Sequence, residues 1–592
     1  MAPNCSKFEH LTLSSAVLQG CLASVLSFLA LGCQADSTDL VSSPGSWLSD
    51  QTEATGLHFF HDNGMSGKRY FCEIVGPGVA LLDIDADGDM DIALNQGHLL
   101  VNPEEDPPVR SISMPDQSRP GLRIFRNDGV RKGVPVFVDM TEETGVKSKV
   151  YGMGLAVSDV NNDGRPDLLV TGFGVDELWV SNDQGRYENR ASEWGVDDER
   201  WTTSAIFVDI DRDGDEDLYV CSYVDFDLKN HKPCFGSTSL IDYCGPSSYP
   251  SLTDRFYLND QYREFSDRTV ESGIGAYEGA GLGVAASDLD GDGNLDFYVA
   301  NDGEVNRLWL QTSPLQFSDS ALLNGCALNR EGQAEASMGA EIVDYDGDGD
   351  DDIFLTHLDG ETNTLYRNAG KGYFDDVSVE SGIGVPSRRW TGFGTVWIDF
   401  NNDSWPDLYV SNGAVKLPVE RLAKGEIHPL GQPDQLYQNK AGQNFVVMNP
   451  DTVPDLQKET VGRGLAWSDL DNDGDADLVL TGNGEAARVL MNNVGQDKSW
   501  IGLVPRGPNG MPMAGVKIDL EDPGIEEGKD LSLTRWSRRG GSYLSSHDPR
   551  ILMGLGNLKG PVNIKVTWPD RTESEVKGLQ LGQYHVIQKA GH

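Results

Sequence analysis

Seven short apolar runs of strand-forming residues punctuate the chain: Ile92-Ala-Leu94, Leu168-Leu-Val170, Leu218-Tyr-Val220, Phe297-Tyr-Val299, Ile353-Phe-Leu355, Leu408-Tyr-Val410 and Leu478-Val-Leu480. Each is too short for a helix, rich in branched or aromatic residues and bounded by polar turn formers, which predicts a buried strand. Before every run stands the polar phrase Asp-x-Asp/Asn-x-Asp-Gly-x-x-Asp, starting at Asp83, Asp159, Asp209, Asp288, Asp344, Asp399 and Asp469; the sixth copy has Ser404 in place of Gly. The starts lie 50 to 79 residues apart. Such a period belongs to propeller blades or another repeat array rather than to one compact enzyme core.

Two more phrases keep fixed places between the loops. Phe137-Val-Asp-Met-Thr-Glu-Glu-Thr-Gly145 recurs with drift at 187–195, 265–273, 317–325 and 374–382, with a degenerate copy from Phe445 and another at 48–56. No copy follows the seventh loop, so the last blade lacks an outer strand unless residues near 47–57 supply it and close the ring, which also removes exposed sheet edges. The other phrase is a strand ending in Asn: Asn127, Asn182, Asn259, Asn368 and Asn439. Gly-x-Gly pairs at Gly76/Gly78, Gly152/Gly154, Gly281/Gly283, Gly392/Gly394 and Gly462/Gly464 predict close backbone approach near a central channel.

The acidic phrase has the donor pattern of a calcium loop, hard oxygens on alternate residues with Gly at the sharp turn. The first set is Asp83, Asp85, Asp87 and Asp91 with the Asp89 carbonyl; the next are Asp159, Asn161, Asp163, Arg165, Asp167 and Asp209, Asp211, Asp213, Asp215, Asp217. Then come Asp288, Asp290, Asp292, Asn294, Asp296 and Asp344, Asp346, Asp348, Asp350, Asp352, followed by Asp399, Asn401, Asp403, Trp405, Asp407 and Asp469, Asp471, Asp473, Asp475, Asp477; the seventh position of each offers its carbonyl. Carboxylates this close repel one another without a cation, and no Lys lies inside any loop. An EF-hand needs Glu at position twelve, where this chain has Leu94, Val170, Val220, Val299, Leu355, Val410 and Leu480. These loops therefore join strands. The competing reading, plain Asp/Gly hairpin turns, accounts for any one copy more easily than for seven with one ligand spacing.

The three phrases in this order resemble the FG-GAP/VCBS repeats of seven-bladed propellers related to the integrin alpha-chain head. Residues Trp500-Ile-Gly-Leu503, Gly540-Gly-Ser-Tyr-Leu-Ser-Ser546, Asp548-Pro549, Gly554-Leu-Gly556 and Ile564-Lys-Val-Thr-Trp-Pro569 resemble the ASPIC/UnbV domain of the cartilage-acidic-protein-like family. The resemblance implies an all-β chain: a seven-bladed β-propeller over 47–495 with up to seven Ca²⁺ in its hairpin loops, and a small C-terminal β-domain over 497–592. It implies no established activity. The residues themselves predict a half-buried strand at 562–568, from its alternating pattern. Arg535, Arg538 and Arg539 form a basic spot with two uses, docking the tail on the acidic propeller or binding an anionic sugar or partner, against which stands an ordinary solvated face.

A formal charge of −46 over 592 residues, still strongly negative after seven calcium ions, excludes nucleic acid or a bare anionic membrane as partner. The apolar stretch 11–32, ending Leu31-Gly-Cys33, predicts an export leader over 1–33 and a linker over 34–46, with Cys33 as a lipidated residue, a plain secretory cleavage or an uncleaved anchor as the open alternatives. An extracellular protein or polysaccharide is the expected partner, with the membrane reached only through a lipid at Cys33. Cys5, Cys21 and Cys33 belong to the leader; of the rest, Cys234 and Cys244 bracket an insertion and are expected to pair, leaving Cys72, Cys221 and Cys326. No Gly-x-Ser-x-Gly, His-Glu-x-x-His or phosphate loop occurs. His58, His61 and His357 read as structural or solvent-facing before catalytic. The insertions at about 98–120, 222–252 and 411–433 are expected to make the loop face of a binding or adhesion module or, alternatively, of a polysaccharide-active lyase or glycosidase. Phe226, Tyr243 and Tyr249 would stack there on sugars or pack the insertion.

Overall fold

The computed structural model describes residues 46–100, 121–236, 240–426, 429–521 and 533–590. The expected leader with Cys5, Cys21 and Cys33, nearly all of the linker and most of the 98–120 insertion lie outside them. No helix among the described residues is long and apolar enough to cross a membrane.

The chain is all-β, and its repeats fold as seven four-stranded antiparallel sheets. Each acidic loop joins the first strand of a sheet to the second. The first strands are Val79–Leu82, Tyr151–Ser158, Thr202–Val208, Gly281–Ser287, Ala340–Val343, Gly392–Ile398 and Gly462–Ser468. Each packs on the first strand of the next sheet, and the last returns to the first. The paired glycines allow this: a Cβ on Gly154 would stand 2.3 Å from Thr203 O of the next sheet, and one on Gly394 2.5 Å from Arg463 O. The outer strand of the seventh sheet is Leu48–Asp50, paired antiparallel with Arg488–Asn492 in the register Leu48↔Asn492. This is the N-terminal strand expected from the missing phrase.

That phrase itself is an outer strand leading into a single helical turn, ended by a left-handed Gly such as Gly145 (φ 78°). In five of the sheets the Asn-ended strand is a strap to the preceding sheet, whereas Asn182 bonds only within its own turn. Asn127 donates its side-chain amide to Leu470 O (3.0 Å), Asn259 to Val160 O (3.2 Å), Asn368 to Leu289 O (2.9 Å), Asn439 to Tyr345 O (3.0 Å) and Asn492 to Phe400 O (2.9 Å). Each bond satisfies a buried carbonyl in the acidic loop of the preceding sheet, a group costly to leave unpaired.

The tail forms a three-stranded sheet (Ile551–Gly554, Trp500–Arg506, Tyr584–Gln588) and a four-stranded sheet (Thr534–Trp536, Lys517–Glu521, Val562–Thr567, Glu573–Leu579) around Ile501, Leu503, Ile518, Ile564, Val566 and Trp568. Val562–Thr567 alternates buried and half-buried, as its pattern predicts. The tail does not stand apart: Pro44–His592 is one compact unit. Its segment 540–546 lies among the first strands of all seven sheets. Leu544 O accepts from Leu155 N (3.1 Å) and Ser542 O from Ala340 N (3.0 Å). Ser542 Oγ accepts from Thr395 N (3.0 Å), Ser545 Oγ from Leu465 N (3.2 Å), and Ser546 pairs with Ala80 as an added parallel strand. Gly541, Ser542 and Leu544 all have positive φ. This left-handed backbone, which costs about 1–3 kcal/mol per non-Gly residue, aims successive polar groups at different sheets.

Candidate metal centres

Within each loop two backbone positions turn left-handed. The sixth does so at φ 97° in Gly88 and 96° in Gly474, and the fourth at 61° in Ala86 and 58° in Asn472. Ser404 follows at φ 82° and so keeps the loop's shape without Gly, its hydroxyl donating to Gly554 O of the tail (3.0 Å). The first Asp accepts the loop's own N–H groups, as Asp83 does from Asp87 and Gly88 at 3.1 Å. The fifth takes the N–H of the seventh, as Asp87 does from Asp89 (2.9 Å).

The ninth Asp ties the second strand to the third and to the loop's own second residue, a role its spacing does not reveal. Asp91 accepts from Ile84 N and Asn127 N, both at 2.7 Å; Asp296 accepts from Leu289 N and Gln311 N at 2.9 Å, and Asp477 from Leu470 N (3.0 Å) and Asn492 N (2.8 Å). Asp167, Asp217 and Asp352 bond likewise.

Five loops gather three carboxylates with ligand oxygens within 4.8 Å of one another: Asp83, Asp85, Asp91; Asp209, Asp211, Asp217; Asp288, Asp290, Asp292; Asp344, Asp346, Asp348; and Asp469, Asp471, Asp477. Three loops use positions one, three and nine, and two use one, three and five, so no set of three includes all four expected side chains. In the second and sixth loops Asn161 and Asn401 take the third place, leaving fewer carboxylates to converge. Burial, with neighbouring carboxylates adding to it, pushes Asp83 and Asp288 up to about 6 and Asp209 and Asp399 up to about 7. Buried Oδ1 atoms of Asp209, Asp288, Asp346 and Asp471 lack a hydrogen-bond partner. Crowded hard oxygens with unmet lone pairs fit a divalent cation such as Ca²⁺, and the clusters could hold one. The second loop has its own relief: Arg165 pairs with Asp163 at 2.5 Å and with Asp183 at 3.0 Å.

The other relief comes from the tail, which reaches every loop. Arg550 donates to Gly88 O (3.1 Å) in the first and to Asn472 Oδ1 (2.7 Å) and Asp469 O (2.9 Å) in the seventh, where Tyr584 also bonds Asp469 (2.8 Å). Asn509 bonds Asp159 (2.7 Å), Arg539 holds Glu216 at 2.7 and 2.9 Å, and Arg571 reaches Asn294 (3.1 Å). Arg538 pairs with Asp351, and Arg535 donates to Ser404 O (3.1 Å). The basic spot is therefore packed against the acidic loops, Arg539 buried and Arg535 and Arg538 half-buried, and of its expected uses docking is the observed one.

In an antiparallel sheet the connection after the second strand leaves from the end opposite the one after the first, so the described parts of the third-sheet and sixth-sheet insertions lie at the other end of their sheets from the acidic loops. Phe226, Tyr243 and Tyr249 are buried there in an aromatic core with Phe71, Trp201 and Tyr223, so packing is their use. The Cys234–Cys244 disulfide forms, and Cys72, Cys221 and Cys326 are buried thiols. Burial pushes both His61 and His357 down to about 3, while His58 is exposed. Arg463, inside a Gly-x-Gly pair, gave no signal in the sequence. It is fully buried on the Phe393 ring and satisfied by carbonyls of Ile74 (2.8 Å) and Gly413 (3.2 Å).

The FG-GAP-like repeat family matches residues 159–220, 288–355 and 344–410, and the ASPIC and UnbV family matches 524–592. Cartilage acidic protein 1 of Mus musculus is 26% identical over 486 residues, 70% of each chain. The Homo sapiens protein is 25% identical over 483 residues, 70% of this chain and 68% of that one, and the Xenopus tropicalis protein 23% over 520 residues, 75% of each. Among solved structures, an Agrocybe aegerita lectin studied for recognition of non-reducing terminal N-acetylglucosamine overlaps with a TM-score of 0.35 at 15% identity, over 63% of this chain and 80% of that one. BBS1N in complex with ARL6DN also gives 0.35, at 10% identity, over 76% and 97%. Overlaps this slight carry no argument. On its repeats and its tail, the chain is an FG-GAP repeat protein with a C-terminal ASPIC/UnbV domain, homologous to cartilage acidic protein 1.

Proposed function

We propose that this chain is an exported, calcium-stabilised seven-bladed β-propeller, its ring at 47–495 capped by the tail at 497–592, acting as a binding or adhesion module at the cell envelope. The observation that carries the metal is the set of five carboxylate clusters, four of them with an orphaned buried oxygen. Calcium is the ion whose ligand number and hard oxygen preference suit such loops. The ring is supported by the succession of first strands that returns to its start and by the N-terminal strand in the seventh sheet. Export to an oxidising compartment, by secretion or through a lipid at Cys33, is supported by the Cys234–Cys244 disulfide. The expected partner is an extracellular protein or polysaccharide, since an acidic surface disfavours nucleic acid.

At a dissociation constant of about 10⁻⁴ M and free calcium of about 10⁻³ M, each loop contributes about 1.4 kcal/mol. Elemental analysis of the mature protein, followed by melting curves as EGTA is titrated, tests the reading. Six or seven ions per chain with a large fall in melting temperature support it. Fewer than two, with no shift, overturns it and leaves the loops as turns.

A further inference from the structure

The acidic loops share one phrase but not one environment. In the seventh, Asp469, Asp475 and Asp477 are all buried, whereas in the first Asp83 is half-buried and Asp89 likewise. The cover over the seventh loop is the tail. Its left-handed Gly474 lies against the Trp500 ring, where a Cβ would stand 1.8 Å from Cε2, and Arg550 holds the loop backbone at Asp469 O (2.9 Å).

Tyr584 goes further and reaches a carboxylate of the cluster Asp469, Asp471, Asp477: its hydroxyl donates to Asp469 Oδ2 (2.8 Å). The same carboxylate accepts from Asp473 N at Oδ1 (3.0 Å) and from Gly474 N at Oδ2 (2.9 Å). An ionised carboxylate has about four lone-pair sites, so these three donors fix its orientation and leave one site, on Oδ1. The hydroxyl is delivered by a rigid element. Tyr584 opens the last strand, in parallel register with Gly502, and a Cβ on Gly502 would stand 2.3 Å from Tyr584 Cδ1, so the glycine makes room for the ring. The Arg550 guanidinium lies 4.7 Å from the ring centre and the Trp500 ring 5.6 Å away. Ligating carboxylates held by a second donor bind metal more tightly, and here that donor comes from 115 residues downstream of the loop.

We propose that Tyr584 is a positioning residue for a divalent cation at the seventh loop, so that the tail completes this site and tail docking is coupled to cation binding. The inference rests on the calcium reading of the loops. Such coupling is reciprocal: the docked tail raises calcium affinity, and calcium tightens the docked tail.

Tyr584→Phe removes the hydroxyl and keeps the ring between Arg550 and Trp500. Calcium is titrated calorimetrically into the chelator-stripped full mature chain, parent and variant, with bound calcium counted on the same samples. One ion is expected to bind about tenfold more weakly in the variant, the others as before. A bond with only a structural role would lower the melting temperature equally in calcium and in EGTA, whereas a positioning bond lowers it more in calcium. Equal losses, or unchanged or tighter binding of every ion, overturn the proposal. Hydrogen exchange of the parent gives a check that needs no variant. Calcium should slow exchange at Gly502 and Gly582, whose N–H groups bond Gln583 O (3.2 Å) and Trp500 O (2.8 Å), more than at 517–521 in the other tail sheet. No difference between the two also overturns it. A parent with fewer than two ions fails the metal reading itself, while a parent with six or seven and a variant that binds them alike fails this inference alone.

Discussion

The two sides of this molecule are built on opposite principles. The acidic side is one phrase repeated seven times, with every loop held by its own backbone and covered by arginine, asparagine or tyrosine from the tail. The insertion side repeats nothing, has an aromatic core stapled by one disulfide, and holds a cavity of about 470 Å³. The comparison teaches that repetition here makes scaffold while the irregular segments are added outside it. A repeated loop presents the same groups each time, whereas an insertion is added without disturbing the ladder beneath it. The tail tip spans the difference, because Tyr543 packs on Phe393 (4.9 Å) and donates to Val75 O (3.0 Å) within the insertion-side core.

The contrast breaks most visibly at Arg550. Its guanidinium joins Asp548 (2.7 Å) to the first and seventh loops, so Arg550→Ala strands a buried carboxylate and is expected to cost about 3–5 kcal/mol, read by denaturant unfolding. Hydrogen exchange should rise at Leu155 and Ala340, whose N–H groups the tail receives. Unchanged protection there would mean that the tail is held without its arginines.

Replacing Cys234 and Cys244 together by Ala is expected to cost about 2–3 kcal/mol, the loop-closure entropy of a short span. Exchange should increase within 222–252 while calcium stoichiometry stays the same, because the disulfide lies on the side away from the loops. A loss of calcium would show the two sides to be coupled.

At the seam of the seventh sheet, burial alone would raise the carboxyl of Asp50, yet Arg488 at 3.2 Å, Thr52 and Lys458 hold it at about 2. A folded value below the ordinary one stabilises the fold above the unfolded pKa, and the benefit is lost as pH falls through the folded one. The stability difference between the parent and Asp50→Asn should be about 2 kcal/mol at about pH 7 and vanish between about pH 4 and 2. A difference independent of pH would remove the ion pair from the seam.

The smallest effect separates loop strain from tail contact. Ser404→Ala keeps the left-handed strain and loses the bond to Gly554, so it should cost about 1 kcal/mol, whereas Ser404→Gly relieves strain as it loses the same bond and should change stability by less than about 0.5 kcal/mol. Equal losses in melting temperature would assign no strain to this position.

Apart from the outer strand that counting the repeats shows to be missing from the seventh, what the sequence determined by itself is local: the strands after each acidic phrase, the left-handed Gly within it and the Cys234–Cys244 pairing. These are legible because strand patterning, turn chemistry and a short loop each depend on residues close along the chain. The partners of Asn127 and Asn368, the strapping by Asp91 and its equivalents, and the burial of Arg463 became visible only with neighbouring sheets in place. Arg535, Arg538 and Arg539 read first as a solvated spot until the tail was seen against the loops, and the charge of the tail carries no address. The tertiary structure alone decided that the tail occupies the acidic side and that His61 and Asn483, 422 residues apart in sequence, line one cavity. Contacts of that separation follow from how seven sheets are arranged around 540–546, which no local pattern encodes.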